Sequence, residues 1–215
     1  MIIVIDGPAG TGKTTIAKMI AEKIGFHYFD TGALYRSLTV VLMEKGVDVK
    51  DSTRVHSVLQ DFHFDAKEGR YFANGEDVTE KIRTPEVTGH VSAVAALPIV
   101  REMLIHVQRD FANERNAVFE GRDLGTVVFP SAHLKIFLTA RPAVRAERRY
   151  LELKEKGIGT TEKEVLNQIT ERDHFDSTRE IAPLKQAEDA HLIDTSDLTI
   201  EGVVKKIETL IPTKK

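Results

Sequence analysis

The chain has 215 residues, with 30 lysines and arginines against 33 aspartates and glutamates, so its formal charge at pH 7 is −3. This balance excludes a strongly basic field for nucleic acid or an acidic membrane surface, so any anion site must be local. The sequence contains no cysteine, which excludes disulfides, thiolate catalysis and sulfur-ligated metal and fits a reducing compartment.

The N-terminal stretch predicts a strand, a loop and a helix in direct succession. Residues 2–5 are β-prone and apolar without polar alternation, which is typical of a strand buried on both faces, and we place it at the centre of a parallel sheet. Residues 13–24 carry apolar side chains at helical spacing and are followed by Gly25, a common helix stop. Without a signal-peptide pattern or a run of about 20 apolar residues, we expect a cytoplasmic protein.

The residues between this strand and this helix match the phosphate-loop pattern G-x-x-x-x-G-K-[ST]. The segment consists of Gly7, Pro8, Ala9, Gly10, Thr11, Gly12, Lys13, Thr14 and Thr15. Glycines let backbone amides converge on an anion, and the helix N-terminus adds positive potential. In this chemistry Lys13 reaches the β- and γ-phosphates of a nucleoside triphosphate and the Thr14 hydroxyl ligates Mg²⁺.

Short apolar runs and helical stretches alternate along the rest of the chain. This predicts an α/β fold of the P-loop NTPase type, with a parallel sheet flanked by helices. Predicted strands cover 26–29, 117–119, 134–138 and 191–193, and predicted helices cover 33–45, 98–113, 142–156, 162–176 and 199–210. Residues 62–78 break the alternation, and Asn74-Gly75 within them is a strong hairpin signal. We therefore predict a small antiparallel meander inserted into the core.

The residues after the strand at 117–119 distinguish between classes of nucleotide-binding protein. The chain lacks the D-x-x-G and N-K-x-D patterns of a GTPase, and Glu120-Gly121-Arg122-Asp123 stands where a motor ATPase would place only acids. Arginine fits phosphate with a planar fork that keeps its charge. An arginine at this strand exit favours a site for a second phosphate-bearing molecule. Other candidate arginines lie at positions 36, 101, 141, 145, 148, 149, 172 and 179.

Five motifs, in order along nearly the whole chain, make it resemble the bacterial cytidylate kinases. The motifs are GPAGTGK at 7–13, DTGALYR at 30–36, NGEDV at 74–78, GRDLGTVVFP at 121–130 and IAPL at 181–184. A tight Asp30-Thr31-Gly32 turn is expected to set Arg36 early in a helix, at the sheet edge where ligands bind. The resemblance implies transfer of the γ-phosphoryl group of ATP to CMP or dCMP, with Mg²⁺.

The resemblance also implies roles for individual residues. Lys13, Arg122 and Arg148 would be catalytic, and Arg148 would lie, with Arg149, in a mobile lid over the triphosphate. The acceptor phosphate would be held by Arg36, Arg122 and Arg179, the cytosine would be read by Ser92, Arg101 and Asp123, and the sugar would contact Arg172 and Asp176. One kinase domain would span 1–215, with a core of 1–30, 90–145 and 177–215, an acceptor-binding region with the meander at 31–89, and a short lid at about 146–176.

Some points stay open at this stage. Asp6, Glu120 and Asp123 are alternative acids for supporting Mg²⁺, and Glu120 stands where many of the family have Asp, with Thr31 where some have Ser. Another small-acceptor kinase, for uridylate, adenylate or shikimate, is the nearer alternative, and a nucleotide-dependent regulatory module is the farther one. We expect a monomer that binds small molecules, without a nucleic-acid or membrane partner.

Overall fold

Helices and strands alternate along residues 1–113 and 115–212, the part of the chain that this computed structural model describes. The strands are β1 (Ile2–Asp6), β2 (His27–Asp30), β3 (Phe64–Lys67), β4 (Arg70–Ala73), β5 (Glu76–Asp77), β6 (Ala117–Gly121), β7 (Leu134–Thr139) and β8 (His191–Asp194). The helices are α1 (Lys13–Ile24), α2 (Thr31–Glu44), α3 (Ser52–Gln60), α4 (Pro85–Ala96), α5 (Pro98–Ala112), α6 (Pro142–Glu155), α7 (Glu162–Thr178) and α8 (Ile200–Glu208).

The chain divides into two units, one formed by residues 1–29 and 112–215 and the other by residues 30–111. In the first unit, which we call the core unit, the sheet has the strand order β2-β6-β1-β7-β8. The central strand β1 pairs in parallel with β6 and β7, and β8 pairs in parallel with β7. The central position predicted for residues 2–5 is therefore confirmed.

The core unit buries the apolar stripe of α1 against the sheet. Ile16, Ala17 and Ile20 of α1 pack with Ile3 and Ile5 of β1, and α8 adds a second apolar stripe to the same cluster. Gly25 closes α1 in the left-handed conformation, with φ of +67°. This packing fixes the start of α1 directly beyond the end of β1.

The second unit, which we call the inserted unit, contains the antiparallel meander in the order β3-β4-β5. Asn74 and Gly75 connect β4 to β5 with φ angles of +51° and +83°, as the hairpin pattern predicts. Glu68 and Gly69 form the other turn with the same signs of φ. Within this unit the Tyr71 hydroxyl of β4 donates to the Asp30 carboxylate at 3.3 Å, which fastens the meander beneath α2.

The predicted parallel sheet with flanking helices and the inserted meander are confirmed, and three local predictions are corrected. Residues 52–60 and 85–96 form helices that the apolar pattern alone misses, although Asp51 and Thr84 both cap them with side-chain oxygens. Asp30-Thr31-Gly32 is not a tight turn, because α2 begins at Thr31 and the Asp30 carboxylate accepts from the Ala33 amide at 2.8 Å.

Within the described ranges, no single helix is long and apolar enough to cross a membrane. The helices α4 and α5 pass such a test only together, by length and composition, with a 95° bend between them.

Candidate functional site

The phosphate-loop residues lie between the end of β1 and the start of α1, as the sequence predicts. Gly7, Gly10 and Gly12 all have positive φ angles, of 147°, 77° and 89°. A Cβ atom at Gly7 would lie 2.0 Å from the main-chain oxygen of Leu138. The loop is therefore confined by β7 on one side, and only glycine fits at its first position.

The Lys13 side chain folds back over the loop. Its ammonium group donates to the Pro8 carbonyl oxygen at 2.7 Å, and the residue is 6% exposed. Burial, together with the nearby charge of Arg122, lowers the pKa of Lys13 well below its usual range. The ammonium therefore lies over the loop backbone, and an anion bound there stabilises its charged form.

The acids near the loop offer oxygen ligands or supports for a cation. Asp6 accepts from the Leu124 and Gly125 amides at 3.0 and 2.8 Å, and burial raises its pKa to about 7. Glu120 accepts from the Tyr28 hydroxyl at 2.5 Å. In the first turn of α1, Thr14 is partly exposed and Thr15 is exposed.

This donor set fits Mg²⁺. The hydroxyl of Thr14 and the carboxylates are hard oxygen donors, which Mg²⁺ prefers, and Mg²⁺ takes most of its remaining ligands from phosphates and water. The described residues contain no cluster of three or more His, Asp or Glu that could hold a metal. A site of one hydroxyl with a nearby acid does not need such a cluster.

Three arginines of the core unit are held by two buried acids. The Asp176 carboxylate lies 3.4 Å from Nε of Arg122 and 3.8 Å from Nε of Arg172. The Asp123 carboxylate accepts from Arg179 at 3.3 Å, and the Ala182 carbonyl accepts from Nε of Arg179 at 2.7 Å. Partial burial and the charge of Arg122 lower the pKa of Arg172 to about 10. The arginines thus form two groups, one on Asp176 and one on Asp123, and their assignment to the acceptor stays a prediction.

The arginines of α6 differ in their contacts. Arg148 donates to the hydroxyl and carbonyl of Thr195 at 3.1 and 2.7 Å, and the Thr195 hydroxyl donates to the Thr11 carbonyl of the phosphate loop at 3.3 Å. Arg149 pairs with Glu152 on the surface. Arg148 thus contacts the loop through Thr195, and its assignment to a mobile lid stays a prediction.

The sequence reading misses two residues that contact the loop directly. Arg145, of the predicted arginine series but without an assigned role, donates to the Ala9 carbonyl at 3.0 Å. Asp173 accepts from the Ala9 amide at 3.3 Å and pairs with Arg145. Their positions in sequence, 136 and 164 residues after Ala9, carry no local signal for this contact.

In the inserted unit, the predicted substrate residues lie on three helices, α2, α4 and α5. Arg36 of α2 donates to the Thr88 hydroxyl at 2.7 Å, and Arg101 of α5 donates to the Ala95 carbonyl at 3.5 Å. Ser92 lies between them along the helix, because positions 88, 92 and 95 share a face. The Ser92 hydroxyl is buried without a hydrogen-bond partner among the described residues. Both guanidinium groups thus contact α4, the helix that carries Ser92.

Known proteins resemble this chain over nearly its full length. The family model for cytidylate kinase matches residues 3–213. The cytidylate kinase of Protochlamydia amoebophila (strain UWE25) is 54% identical over 215 residues, covering 96% of this chain and 94% of that protein. The cytidylate kinase of Thermotoga maritima (strain ATCC 43589) is 47% identical over 210 residues, covering 97% and 96%.

Solved structures share the fold at low identity. A shikimate kinase from Bacteroides thetaiotaomicron covers 98% of this chain and 97% of its own at 16% identity, with a TM-score of 0.50. An uncharacterized protein from Eubacterium ventriosum ATCC 27560 has the same coverage at 15% identity, with a TM-score of 0.52. These likenesses support the P-loop kinase fold, and the near full-length identity to the curated relatives supports the family. The resemblance drawn from the motifs is confirmed, and the chain belongs to the cytidylate kinase family.

Proposed function

We propose that the chain transfers the γ-phosphoryl group of ATP to CMP or dCMP, giving ADP and CDP or dCDP. The observation that carries the proposal is the arginine cluster beside the phosphate loop. A triphosphate bound by the loop and Lys13 does not need Arg122 and Arg179 as well, whereas a second phosphate-bearing substrate does. The names of the relatives supply the acceptor as a cytidine nucleotide.

The donor is assigned to the phosphate loop. The loop amides and the N-terminus of α1 bind the phosphates, and Lys13 neutralises charge between the β- and γ-positions. Mg²⁺ would be held by the Thr14 hydroxyl with support from one acid, and when bound it supplies charge neutralisation on the transferring phosphoryl group. Of the three candidate acids, Asp6 has its carboxylate fixed by two backbone amides.

The acceptor phosphate is assigned to Arg122 and Arg179 of the core unit and Arg36 of the inserted unit. An acceptor phosphate oxygen is already anionic, so the reaction needs no general base. The arginines act by offsetting the repulsion between two anions and by aligning the acceptor oxygen with the γ-phosphorus. Arg172 and Asp176 are assigned to the sugar.

The cytosine ring is assigned to Ser92, Arg101 and Asp123. Cytosine presents an amino donor at N4 beside acceptors at N3 and O2, so its recognition needs both an acceptor and a cation. Uracil reverses this pattern, with an acceptor oxygen at position 4 and a donor N–H at N3. A mispaired buried group costs about 1–3 kcal/mol, and discrimination of one to two decades per group follows. The Ser92 hydroxyl, which no described residue engages, is available for this reading.

The remaining assignments concern the state of the protein in the cell. We propose a cytoplasmic monomer whose partners are small molecules, with a lid at about 146–176 that excludes water from the transferring phosphoryl group. The absence of cysteine supports a reducing compartment, and the charge of −3 supports small-molecule partners over nucleic acid or a membrane. Light scattering on a size-exclusion column tests the monomer, for which one mass near 24.0 kDa is expected.

The test of the function is a coupled assay of ADP release, with Mg-ATP as donor and CMP, dCMP, UMP, AMP or shikimate as acceptor. Arg122→Ala is compared with Arg54→Ala, which removes an exposed guanidinium of α3. We expect turnover confined to the cytidine nucleotides, lost in Arg122→Ala and retained in Arg54→Ala. Preference for another acceptor would refute the cytosine assignments, and the lack of acceptor-stimulated turnover would favour a regulatory module.

A further inference from the structure

The main chain of Ala9, in the phosphate loop, is held at both of its polar groups by side chains from outside the loop. Asp173 of α7 accepts from the Ala9 amide at 3.3 Å, and Arg145 of α6 donates to the Ala9 carbonyl at 3.0 Å. The two side chains also pair with each other. Nε of Arg145 donates to the Ala140 carbonyl at 2.9 Å, which anchors the guanidinium just beyond β7.

The position of this pair on the helices is informative. Asp173 continues the stripe of Val165 and Ile169 at intervals of four residues, and that stripe packs against Ala146 and Leu153 of α6. The seam between α6 and α7 is therefore apolar along its length and ends in an ion pair at the phosphate loop. An ion pair so enclosed contributes little net stability to helix packing. What distinguishes it is its pair of contacts to Ala9.

The same helix carries residues assigned above to the acceptor. Arg172 precedes Asp173, and Asp176 follows three residues later. Arg172 and Asp176 face each other at 3.8 Å, and Asp176 also contacts Arg122. One rigid helix thus contacts the donor loop through Asp173 and carries the acceptor cluster through its neighbours.

We propose that Asp173 is a positioning residue for the donor. It fixes the phosphate loop at Ala9, both directly and through Arg145. Through α7 it couples that loop to Arg172 and Asp176. Binding of the phosphate donor then requires less ordering of the loop, and acceptor binding at Arg172 and Asp176 strengthens donor binding through α7. The coupling rests on the proposed function for its acceptor, whereas the effect on donor affinity does not.

The experiment is calorimetric titration of Mg-ADP into the enzyme, with and without saturating CMP, because this pair of ligands does not react to products. The variants are Asp173→Ala, Asp173→Asn and, as the matched control, Glu171→Gln, an exposed acid two residues away on α7. Thermal unfolding of each variant accompanies the titrations. If Asp173→Ala does not fold, Asp173→Asn carries the test, because its amide oxygen still accepts from Ala9 while the charge is lost.

In Asp173→Ala we expect ADP affinity to fall about tenfold, as loss of a charge-assisted contact implies. CMP affinity measured alone should stay within about twofold of wild type, and the gain in ADP affinity on adding CMP should shrink. Glu171→Gln should match wild type in all three measurements. Equal or tighter ADP binding in Asp173→Ala, or equal losses in ADP and CMP affinity together with a lower Tm, would overturn the proposal. Failure of CMP to bind wild type would overturn the acceptor and the coupling, while the titration of ADP alone would still decide the positioning role.

Discussion

Replacing Gly7 with alanine is expected to destabilise the chain far more than a change in backbone freedom alone. An ideal Cβ at this position lies 2.0 Å from the main-chain oxygen of Leu138 and 3.0 Å from its carbonyl carbon. Both atoms belong to β7, which pairs with β1 inside the sheet, so no flexible side chain can move aside. The φ angle of +147° at Gly7 is also one that side chains rarely adopt.

The magnitude follows from these two terms. Relieving the contact requires the strands to separate by more than about 1 Å, and overpacking of this kind costs about 1–3 kcal/mol. The disfavoured φ adds about 1–3 kcal/mol, for a sum of about 2–6 kcal/mol. In a chain of this length each kcal/mol lowers the Tm by about 2–4 °C, so the variant should melt roughly 5–20 °C below wild type.

The assay is thermal unfolding followed by circular dichroism, with Gly25→Ala as the matched control. Gly25 also has a positive φ, of +67°, but no atom lies within 4 Å of an added Cβ. Its substitution therefore measures the backbone term without the collision and should cost about 1 kcal/mol. If Gly7→Ala melts at the same temperature as Gly25→Ala or above it, the confinement by Leu138 is wrong as a cause.

Three further predictions concern the acceptor, the core and the meander. Ser92→Ala should lower the preference for CMP over UMP about tenfold with little change in KM for ATP. An unchanged preference in steady-state kinetics would contradict the assignment of Ser92 to the cytosine. Phe119→Ala should lower the free energy of unfolding by about 3–5 kcal/mol, because the ring is fully buried between Phe29 and Phe129. In urea titration, a loss under about 1 kcal/mol would show that the surrounding residues close the cavity. Tyr71→Phe should weaken hydrogen-exchange protection in residues 64–77 and cost about 1 kcal/mol, since the hydroxyl contact to Asp30 is removed. Protection equal to wild type would show that this hydrogen bond does not hold the meander.

The phosphate loop could be predicted from the sequence because all of its determinants are local. The apolar run before it, the three glycines and the helical stripe after it each require a particular backbone at adjacent positions. The hairpin at Asn74-Gly75 is local in the same sense, and it is formed with the expected positive φ angles. Local patterns of this kind state where the chain turns and which way the following element runs.

The missed features depend on partners that are distant in sequence or on caps instead of apolar periodicity. The Asp173 contact to Ala9 spans 164 residues, so no window of the sequence contains both groups. The helix α3 is capped by Asp51, and α4 is capped by Thr84 with Pro85 after it. Both are capping signals, but apolar spacing alone does not predict these helices. The sequence predicts a turn at Asp30, yet this residue caps α2 and also accepts from Tyr71 of the meander. Both contacts are visible only in the folded structure, where the Ala33 amide and the Tyr71 hydroxyl lie beside this carboxylate.

The acids beside the arginines show how an anion site can be ordered before the anion binds. Asp176, which is 3% exposed, contacts Arg122 and Arg172, and Asp123 contacts Arg179. A guanidinium has five N–H donors, so a carboxylate on one edge leaves donors for a phosphate on another. The acid therefore fixes the long side chain, whose ordering would otherwise weaken substrate binding. Around Asp176 two arginines face one acid, and the local charge stays positive. The cluster can thus keep its geometry without its substrate and still attract a phosphate.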